Sequence, residues 1–261
     1  MADMIKLIHL TDTHLVKPGK LLHGLDPESR FVACMDSISQ HHHDAECCVI
    51  TGDIADHDCD EAYVLFAEQI RQCPIPCYPL LGNHDDRQKF LQHFPMIEGK
   101  VTSDGFVQYT VTLSEGVMIM LDTVKSGFPD GEFCEIRQQW LHETLIKHQH
   151  QPVYLFMHHP PFDIHIPCLD EIGLAEKRAF SSIIRPNKNI RHLFFGHAHR
   201  PISGNWQGIS FSSLHGTNHQ IRLDFNSQEF QYIDEPPQYS VVFLADQTVV
   251  VHTHAYLSEN H

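Results

Sequence analysis

The chain has 261 residues, of which 42% are hydrophobic, and carries a formal net charge of −15. Binding to a long polyanion relies on a basic surface, so this charge excludes a nucleic-acid polymer as the expected partner. No apolar run has the length of a membrane span or of a signal peptide, and we therefore expect a cytoplasmic protein with no membrane partner.

Cysteine and histidine differ in what their numbers predict. The eight cysteines include no Cys-x-x-Cys pair, so reduced and mostly buried thiols are expected rather than a zinc or redox site. Histidine is unusually frequent, with 23 copies. Most need no function: we expect His41, His42 and His43 to end a helix at the surface, and His252 and His254 to lie on the exposed face of a late strand.

Short apolar runs alternate with longer amphipathic segments up to about residue 200. Strands are predicted at 6–10, 47–51, 77–81, 106–113, 117–122, 153–157 and 190–195. Helices are predicted near 28–40, 60–72, 86–94, 134–148 and 173–184. This alternation is typical of βαβ units and predicts a mostly parallel inner sheet.

The chain becomes strand-like from about residue 208, with the runs ISFSS, QIRLDF, YSVVFL and TVVVHTH. We expect these runs to form a second, largely antiparallel sheet packed on the first. No repeat or flexible linker divides the sequence, which predicts a single domain over residues 1–261. The C-terminal part is expected to complete the second sheet, and it is the candidate region for homo-oligomerisation.

Five of the predicted parallel strands are followed by residues that bind metals. The clusters are TDTH, TGDIADHD, LGNHDD, MHHPP and GHAH. Each alone is weak evidence, because a strand-end aspartate is often a helix cap and GNHD or HHPP is compatible with an ordinary turn. Sites form at the carboxyl ends of strands in open α/β sheets, so five clusters in this one position predict a metal site.

Spacing and composition give the chemistry of this site. His197 and His199 are two residues apart after a strand and can point toward one common position. Glycines directly before Asp53, Asn83 and His197 fit tight turns close to a site. Nitrogen and oxygen donors without thiolate suit Mn, Fe, Zn or Co, and there are too many donors for one ion. Two ions that share a carboxylate and activate a bridging water are therefore expected.

The series D-x-H, GD, GNHD, H and GHxH, spread over residues 12–199, resembles the calcineurin-like metallophosphoesterase superfamily. The resemblance implies an α/β fold, a four-layer α-β-β-α sandwich with two packed mixed sheets and a metal site at the carboxyl ends of the strands. It also implies two divalent ions, either Fe, Mn or Zn or a mixed pair. The first ion would be held by Asp12, His14, Asp53 and His199. The second would be held by Asp53 as bridge, Asn83, His158 and His197.

Further residues take roles from the same resemblance. His84 is similar to the family histidine that contacts the phosphoryl group, where it either stabilises transition-state charge or protonates the leaving alkoxide. Asp85 either orients His84 or caps a helix. GTNHQ at 216–220 resembles a stretch that supplies a second phosphate-contacting histidine, here His219, although a polar residue opening a strand needs no function. His23, in the loop LLHGLD, either borders the substrate pocket or lies on the surface.

Departures from other branches of the superfamily narrow the expected reaction. Protein serine/threonine phosphatases carry an arginine in GDxVDRG, and His57 stands in its place here, so a monoester lacks that clamp. LLHGLD, GNHDD, FMHHPP, GHAH and GTNHQ are similar to the group of class III cyclic-nucleotide phosphodiesterases and bacterial glycerophosphodiesterases.

The resemblance therefore implies a metal-dependent phosphodiesterase that hydrolyses 3′,5′-cyclic nucleotides such as cyclic AMP by attack of a bridging hydroxide on phosphorus. The alternative is a glycerophosphodiesterase acting on glycerophosphocholine-type diesters. A phosphomonoesterase and a non-catalytic scaffold remain as further alternatives, and the scaffold is disfavoured because no ligand position is missing.

Overall fold

Two mixed β-sheets pack face to face in the computed structural model, which describes residues 4–57, 59–98, 101–245 and 248–257. The first sheet consists, in spatial order, of β13 (Thr248–Ala255), β12 (Gln238–Ala245), β1 (Ile5–Leu10), β2 (Cys47–Ile50) and β3 (Cys77–Pro79). The second consists of β4 (Tyr109–Leu113), β5 (Gly116–Met120), β6 (Val153–Met157), β7 (Ile190–Phe195), β9 (Ile209–Ser213) and β8 (Ile202–Trp206). A short antiparallel pair, β10 (Gln220–Ile221) and β11 (Tyr232–Ile233), stands apart from both.

Five helices lie close to the predicted positions: α1 (Pro27–His41), α2 (Asp60–Gln72), α3 (Arg87–His93), α5 (Glu135–Lys147) and α7 (Lys177–Ile184). The single-turn helices α4 (Pro95–Glu98) and α6 (Pro167–Asp170) were not predicted, because four residues are too few for a helical pattern. The start of α1 follows from its sequence, because the Asp26 side chain accepts from Ser29 N and Pro27 occupies the first turn. Among the described residues, no helix combines the length and the apolar character that crossing a membrane requires.

The alternating directions of side chains along a strand explain why each sheet is covered on both faces. In β5, Met118 and Met120 belong to the core between the sheets, whereas Val117 and Ile119 pack with Leu141 and other residues of the outer helices. Because successive strand residues point to opposite faces, β5 is apolar throughout and is covered on both sides. The prediction of a four-layer α-β-β-α sandwich with two packed mixed sheets is confirmed.

The assignment of strands to sheets differs from the prediction in one respect. The five strands that carry metal-binding residues were expected in one inner sheet, but β1, β2 and β3 lie in the first sheet and β6 and β7 in the second. The C-terminal strands likewise do not all complete the second sheet: β9 pairs with β7, whereas β12 pairs antiparallel with β1. The reason is that the free edge of β1 is buried by β12, a long-range pairing that local patterns do not encode.

The residues predicted to have no function lie partly as expected. All eight cysteines are free thiols, but four are buried and four are half-buried, so the prediction that most are buried is not met. Helix α1 ends at His41; His41 and His43 are exposed and His42 is half-buried, and His252 and His254 are exposed on β13.

Candidate metal centre

The loops that follow β1, β2, β3, β6 and β7 meet at one edge of the two packed sheets. They bring together all seven residues predicted as metal ligands: Asp12, His14, Asp53, Asn83, His158, His197 and His199. Six of these side chains are buried, and only Asn83 is half-buried. Parallel strands from both sheets thus place their carboxyl ends around one point.

One group of donor atoms surrounds Asp12 and Asp53. His199 Nε2 lies 3.3 Å from Asp12 Oδ1, and His14 Nε2 lies 3.4 Å from Asp53 Oδ2. The two imidazole Nε2 atoms are 3.1 Å apart. These four side chains offer ligand atoms that all lie within 4.8 Å of one another.

A second group shares Asp53 with the first. His158 Nε2 lies 3.3 Å from Asp53 Oδ2 and 3.0 Å from Asn83 Oδ1. His197 Nδ1 lies 3.0 Å from the same Asn83 oxygen. Asp53 Oδ2 therefore lies between the two groups and is shared by them.

Hydrogen bonds on the outer side of two histidine rings show which ring nitrogen faces the centre of the site. His158 Nδ1 donates to Thr51 O at 2.7 Å, and His199 Nδ1 donates to His219 O at 2.8 Å. A carbonyl oxygen only accepts, so Nδ1 of each ring carries a proton and Nε2 faces the carboxylate and amide oxygens. Burial opposes protonation, but Asp53 raises the pKa of His158 to about 9 and Asp12 raises that of His199, so a proton occupies each Nε2 when no metal is bound. A divalent ion would take the place of these protons, and the nitrogen and oxygen atoms present fit a pair of such ions.

The backbone of the site is strained. Asp12, His14, Asp53, His197 and His199 have φ angles between 43° and 64°. This left-handed region costs a non-glycine residue of order 1–3 kcal/mol and is occupied where surrounding structure enforces it, often at functional sites. Five of the seven predicted ligands lie there.

The three glycines predicted to allow tight turns allow close contacts between loops. A Cβ atom on Gly82 would lie 2.1 Å from Asp53 Oδ1, and one on Gly196 would lie 2.1 Å from Thr11 Oγ1. A Cβ atom on Gly52 would lie 2.6 Å from Gly82 N. None of the three positions has room for a side chain.

His84 lies beside the two donor groups, and its contact differs from the prediction. Its Nδ1 is 3.0 Å from Asp56 Oδ1, and Asp56 Oδ1 is also 3.3 Å from His14 Nδ1. Burial lowers the pKa of His84, but the carboxylates of Asp53 and Asp56 outweigh burial and raise it to about 9. His84 is therefore a cationic donor at neutral pH.

Asp85 was predicted either to orient His84 or to cap a helix, and its described hydrogen bonds go to other groups, while Asp86 caps α3. The Asp85 carboxylate accepts hydrogen bonds from Ile54 N, Ala55 N, Gly82 N and Tyr63 Oη, and so ties the loops after β2 and β3 together. Burial, with a smaller contribution from Asp53, raises the pKa of Asp85 to about 6. Asp56 holds the His84 ring instead. The signal for Asp56 was present in GDIADHD, three residues after Asp53 in the same loop.

His219 lies over the first donor group. Its ring centroid is 4.8 Å from that of His14 and 4.7 Å from that of His199. Asn218 Nδ2 donates to His219 Nδ1, which places the ring proton on Nε2. Burial, then His199, lowers the pKa of His219, so the ring is a neutral donor.

A cavity of about 150 Å³ opens over both donor groups. Polar residues of the centre, including Asp53, Asp56 and His84, form part of its lining. The lining also includes the predicted border residue His23 and Tyr232, which sequence patterns did not indicate. His57, at the position of the phosphatase arginine, has an 80% exposed side chain and stacks on His84 at 4.9 Å.

His159, the neighbour of His158, supports the cavity wall. Its Nδ1 contacts Thr123 Oγ1 at 2.8 Å, and its Nε2 contacts Pro129 O at 3.2 Å. Burial, then the charge of His158, lowers the pKa of His159 to about 3. The ring is therefore neutral and structural.

Two packed sheets with two carboxylate-linked donor groups at their shared edge define a class of metal-dependent hydrolases. The family model described as calcineurin-like phosphoesterase matches residues 5–201, and the chain belongs to this family. Its members use a binuclear divalent metal centre.

Individual relatives extend the match beyond that region. The chain is 34% identical to a probable cyclic nucleotide phosphodiesterase of Rhodopseudomonas palustris, over 97% of this chain and 93% of the relative. It is 26% identical to a probable glycerophosphodiester phosphodiesterase of Arcobacter nitrofigilis, over 95% and 92%. A dimetal phosphatase of Danio rerio has the same fold with a TM-score of 0.69 at 17% identity, covering 97% of this chain and 99% of that one.

Proposed function

We propose that this protein is a binuclear-metal phosphodiesterase that hydrolyses 3′,5′-cyclic nucleotides, with cyclic AMP as the first candidate. The observation that carries the proposal is the position of Asp53 Oδ2, which lies 3.4 Å from His14 Nε2 and 3.3 Å from His158 Nε2. The nearly full-length similarity to a probable cyclic nucleotide phosphodiesterase supports the choice of substrate.

The ligand roles follow the two donor groups. Asp12, His14, Asp53 and His199 would hold one ion. Asp53, Asn83, His158 and His197 would hold the other. When bound, the pair supplies positive charge to the phosphate and a water activated at neutral pH. The donor set, imidazole and oxygen without thiolate, suits Mn, Fe or Zn.

The remaining side chains would act on the substrate. The cationic His84, held by Asp56, would donate to a phosphate oxygen or to the leaving oxygen. His219 would donate from Nε2 to the opposite side of the phosphate. Asp85 would act only through the loops that it fixes.

A diester fits this set of donors better than a monoester. No arginine lines the described part of the cavity, and the exposed His57 replaces the phosphatase arginine. A monoester dianion would lack the bidentate clamp that arginine provides. A glycerophosphodiesterase is the second candidate, because the Arcobacter nitrofigilis relative aligns over 95% of this chain. A cytoplasmic location and oligomerisation through the C-terminal region stay predictions.

Metal removal tests the proposal. The chain is stripped with a chelator and reloaded with Mn²⁺, and bound metal and cyclic AMP hydrolysis are measured on the same sample. Two ions per chain and activity only after reloading are expected. Asp53→Asn should lose both ions, whereas Asp44→Asn, on an exposed side chain, should retain them. Equal activity of the stripped and reloaded protein, or two ions retained by Asp53→Asn, would contradict the proposal.

A further inference from the structure

The cavity over the metal centre has a second wall that the proposed chemistry does not use. His23 and Tyr232 stack with ring centroids 3.9 Å apart and planes inclined by 21°. Leu169, Ile172 and Phe230 are further apolar residues of the cavity lining. Together these five residues form a wall of aromatic and aliphatic surface, and the carboxylates that line the cavity, Asp53 and Asp56, come from the loop after β2.

The stacked pair lies one ring away from the candidate ligands. The ring of His219 is 4.6 Å from that of His23 and 4.9 Å from that of Tyr232, and it also contacts His14 and His199. When a phosphate lies at the metal centre and accepts a hydrogen bond from His219, the next part of the substrate lies near the His23–Tyr232 pair.

The two elements that carry the pair are held in place. His23 and Gly24 form the centre of a two-residue turn, with φ of 53° and 81° and reciprocal bonds between Leu22 and Leu25. Such a turn needs positive φ at both positions, which glycine accepts freely and histidine adopts at a cost. The conformation projects the His23 ring over the cavity.

Tyr232 is fixed from the base of the β10–β11 hairpin. Arg200 Nη1 donates to Ile221 O at 2.8 Å and pairs with Glu235 at 2.9 Å. Arg30 pairs with Asp234 at 2.6 Å. These contacts hold Ile221, the cross-strand partner of Tyr232, and the segment directly after Tyr232, so they limit the movement of the ring and reduce the cost of ordering it when a ligand binds.

We propose that the His23–Tyr232 pair binds the nucleobase of the substrate by stacking, a proposal that rests on the cyclic-nucleotide function above. Tyr232 has one face against His23 and is 46% exposed, so it has surface left for a planar ring. Nucleic-acid bases stack on aromatic side chains, and the aliphatic neighbours Leu169 and Ile172 suit the apolar face of a base.

The other candidate diesters make different contacts with this wall. A glycerol group forms hydrogen bonds, and the side chains of Leu169, Ile172 and Phe230 offer it none, which leaves the polar atoms of His23 and Tyr232. A choline group would contact the aromatic rings through its positive charge rather than by stacking. A planar base is the group that stacks on a ring face, and the substrate comparison below separates it from choline.

The test compares two substrates that differ only in the base: 3′,5′-cyclic AMP and base-free ribose 3′,5′-cyclic phosphate. For the metal-loaded enzyme, Tyr232→Ala should raise KM for cyclic AMP about tenfold and change kcat/KM for the base-free diester less than about twofold. His23→Asn keeps a residue that tolerates positive φ but removes the ring, and it should have the same selective effect.

Two variants serve as controls. Tyr232→Phe retains the ring and should keep the wild-type KM. Phe225→Ala removes a 60% exposed aromatic ring from the loop of the same hairpin, outside the cavity lining. It should change KM and kcat/KM for neither substrate. Equal losses on both substrates in Tyr232→Ala would mean a structural role and would overturn the proposal. A KM effect on glycerophosphocholine instead of cyclic AMP would also overturn it.

A binding measurement separates this proposal from the proposed function. Calorimetry on the metal-loaded enzyme compares AMP with ribose 5-phosphate. Wild type should bind AMP about tenfold more tightly, and Tyr232→Ala should remove that difference. If wild type hydrolyses no cyclic AMP but shows this preference, the proposed function fails and base stacking on the His23–Tyr232 pair stands. If cyclic AMP is hydrolysed but both ligands bind equally, base stacking fails and the proposed function stands.

Discussion

Asp56 contacts two histidines with one oxygen. Its Oδ1 lies 3.3 Å from His14 Nδ1, on the far side of a candidate ligand, and 3.0 Å from His84 Nδ1. A carboxylate behind a ligating histidine fixes the ring and makes it a better donor. After Asp53, the same carboxylate raises the pKa of His84, so we expect this one residue to couple metal binding to proton donation.

The Asp56→Asn variant tests this coupling. Loss of the carboxylate charge should lower kcat about 10–100-fold, the range for groups that support metal ligands, with a smaller change in KM. Steady-state kinetics on cyclic AMP and metal content measure the effect. Asp44→Asn, at the protein surface, is the matched control. Wild-type kcat in Asp56→Asn would contradict the role.

Single residues were predictable where a strand ends and unpredictable where two loops meet. The predicted ligands from Asp12 to His199 follow apolar runs, so their common location follows from strand polarity alone. Adjacency in sequence makes Asp85 a candidate either to orient His84 or to cap a helix, but the carboxylate in contact with the His84 ring is that of Asp56, which lies 28 positions away. Tyr232 was missed because it meets His23 only through tertiary contacts.

The loops after β2 and β3 are the elements that assemble the shared carboxylate. Asp53 Oδ1 accepts from His84 N at 2.9 Å, and Asp85 binds Gly82 N and Ile54 N. This network leaves no space at Gly82, where a Cβ atom would come within 2.1 Å of Asp53 Oδ1. The position of the Asp53 carboxylate therefore requires glycine at residue 82.

Gly82→Ala should displace Asp53 and weaken both ion sites. We expect fewer than two bound ions per chain and a loss of about 1–3 kcal/mol of unfolding free energy, the usual cost of overpacking. Metal analysis and urea unfolding are the measurements. Gly173→Ala is the control, because its Cβ would meet nothing nearer than 3.4 Å. Two bound ions and unchanged stability in Gly82→Ala would refute the expectation.

At the scale of elements, helices and strands followed the sequence patterns, and the pairing of strands did not. The strands β6 and β7 have the predicted bounds, because each is an apolar run between turn residues. Besides β2, β1 pairs with β12, more than two hundred positions later, and its register of Ile5 opposite Leu244 is fixed by packing between the sheets. No local pattern carries that information.

Two buried histidines stand in the core between the sheets. The His9 ring contacts Phe156 and Phe194 edge-on, and the His192 ring lies 4.2 Å from Phe194. Burial lowers the pKa of His9 to about 3, with a further decrease from His192, and burial lowers the pKa of His192 to about 4. The folded molecule therefore keeps both rings neutral.

These pKa values predict acid sensitivity of the whole fold. Both lie below the value of about 6.5 expected in the unfolded chain, so the unfolded chain binds protons first as the pH falls. The stability contributed by each neutral ring is complete above about pH 6.5 and decreases by up to about 1.4 kcal/mol per pH unit below it, until the folded pKa is reached.

The His192→Gln variant measures how much His192 contributes to this loss of stability at low pH. Urea unfolding of the metal-free protein at pH 7.5 and 5.5 should show a decrease in stability about 1 kcal/mol smaller in His192→Gln than in wild type. His252→Gln, at an exposed position of β13, should decrease as wild type does. The same decrease in all three proteins would show that His192 is not kept neutral by the fold.

The central claim for the molecule is hydrolysis of cyclic nucleotides, and one comparison tests it most directly. The value of kcat/KM is measured for the Mn²⁺-loaded enzyme on 3′,5′-cyclic AMP and on glycerophosphocholine under the same conditions. We predict a preference for cyclic AMP above about a hundredfold, equivalent to about 2.7 kcal/mol of differential transition-state stabilisation. A preference of that size for glycerophosphocholine, or turnover of phosphomonoesters alone, would contradict the claim.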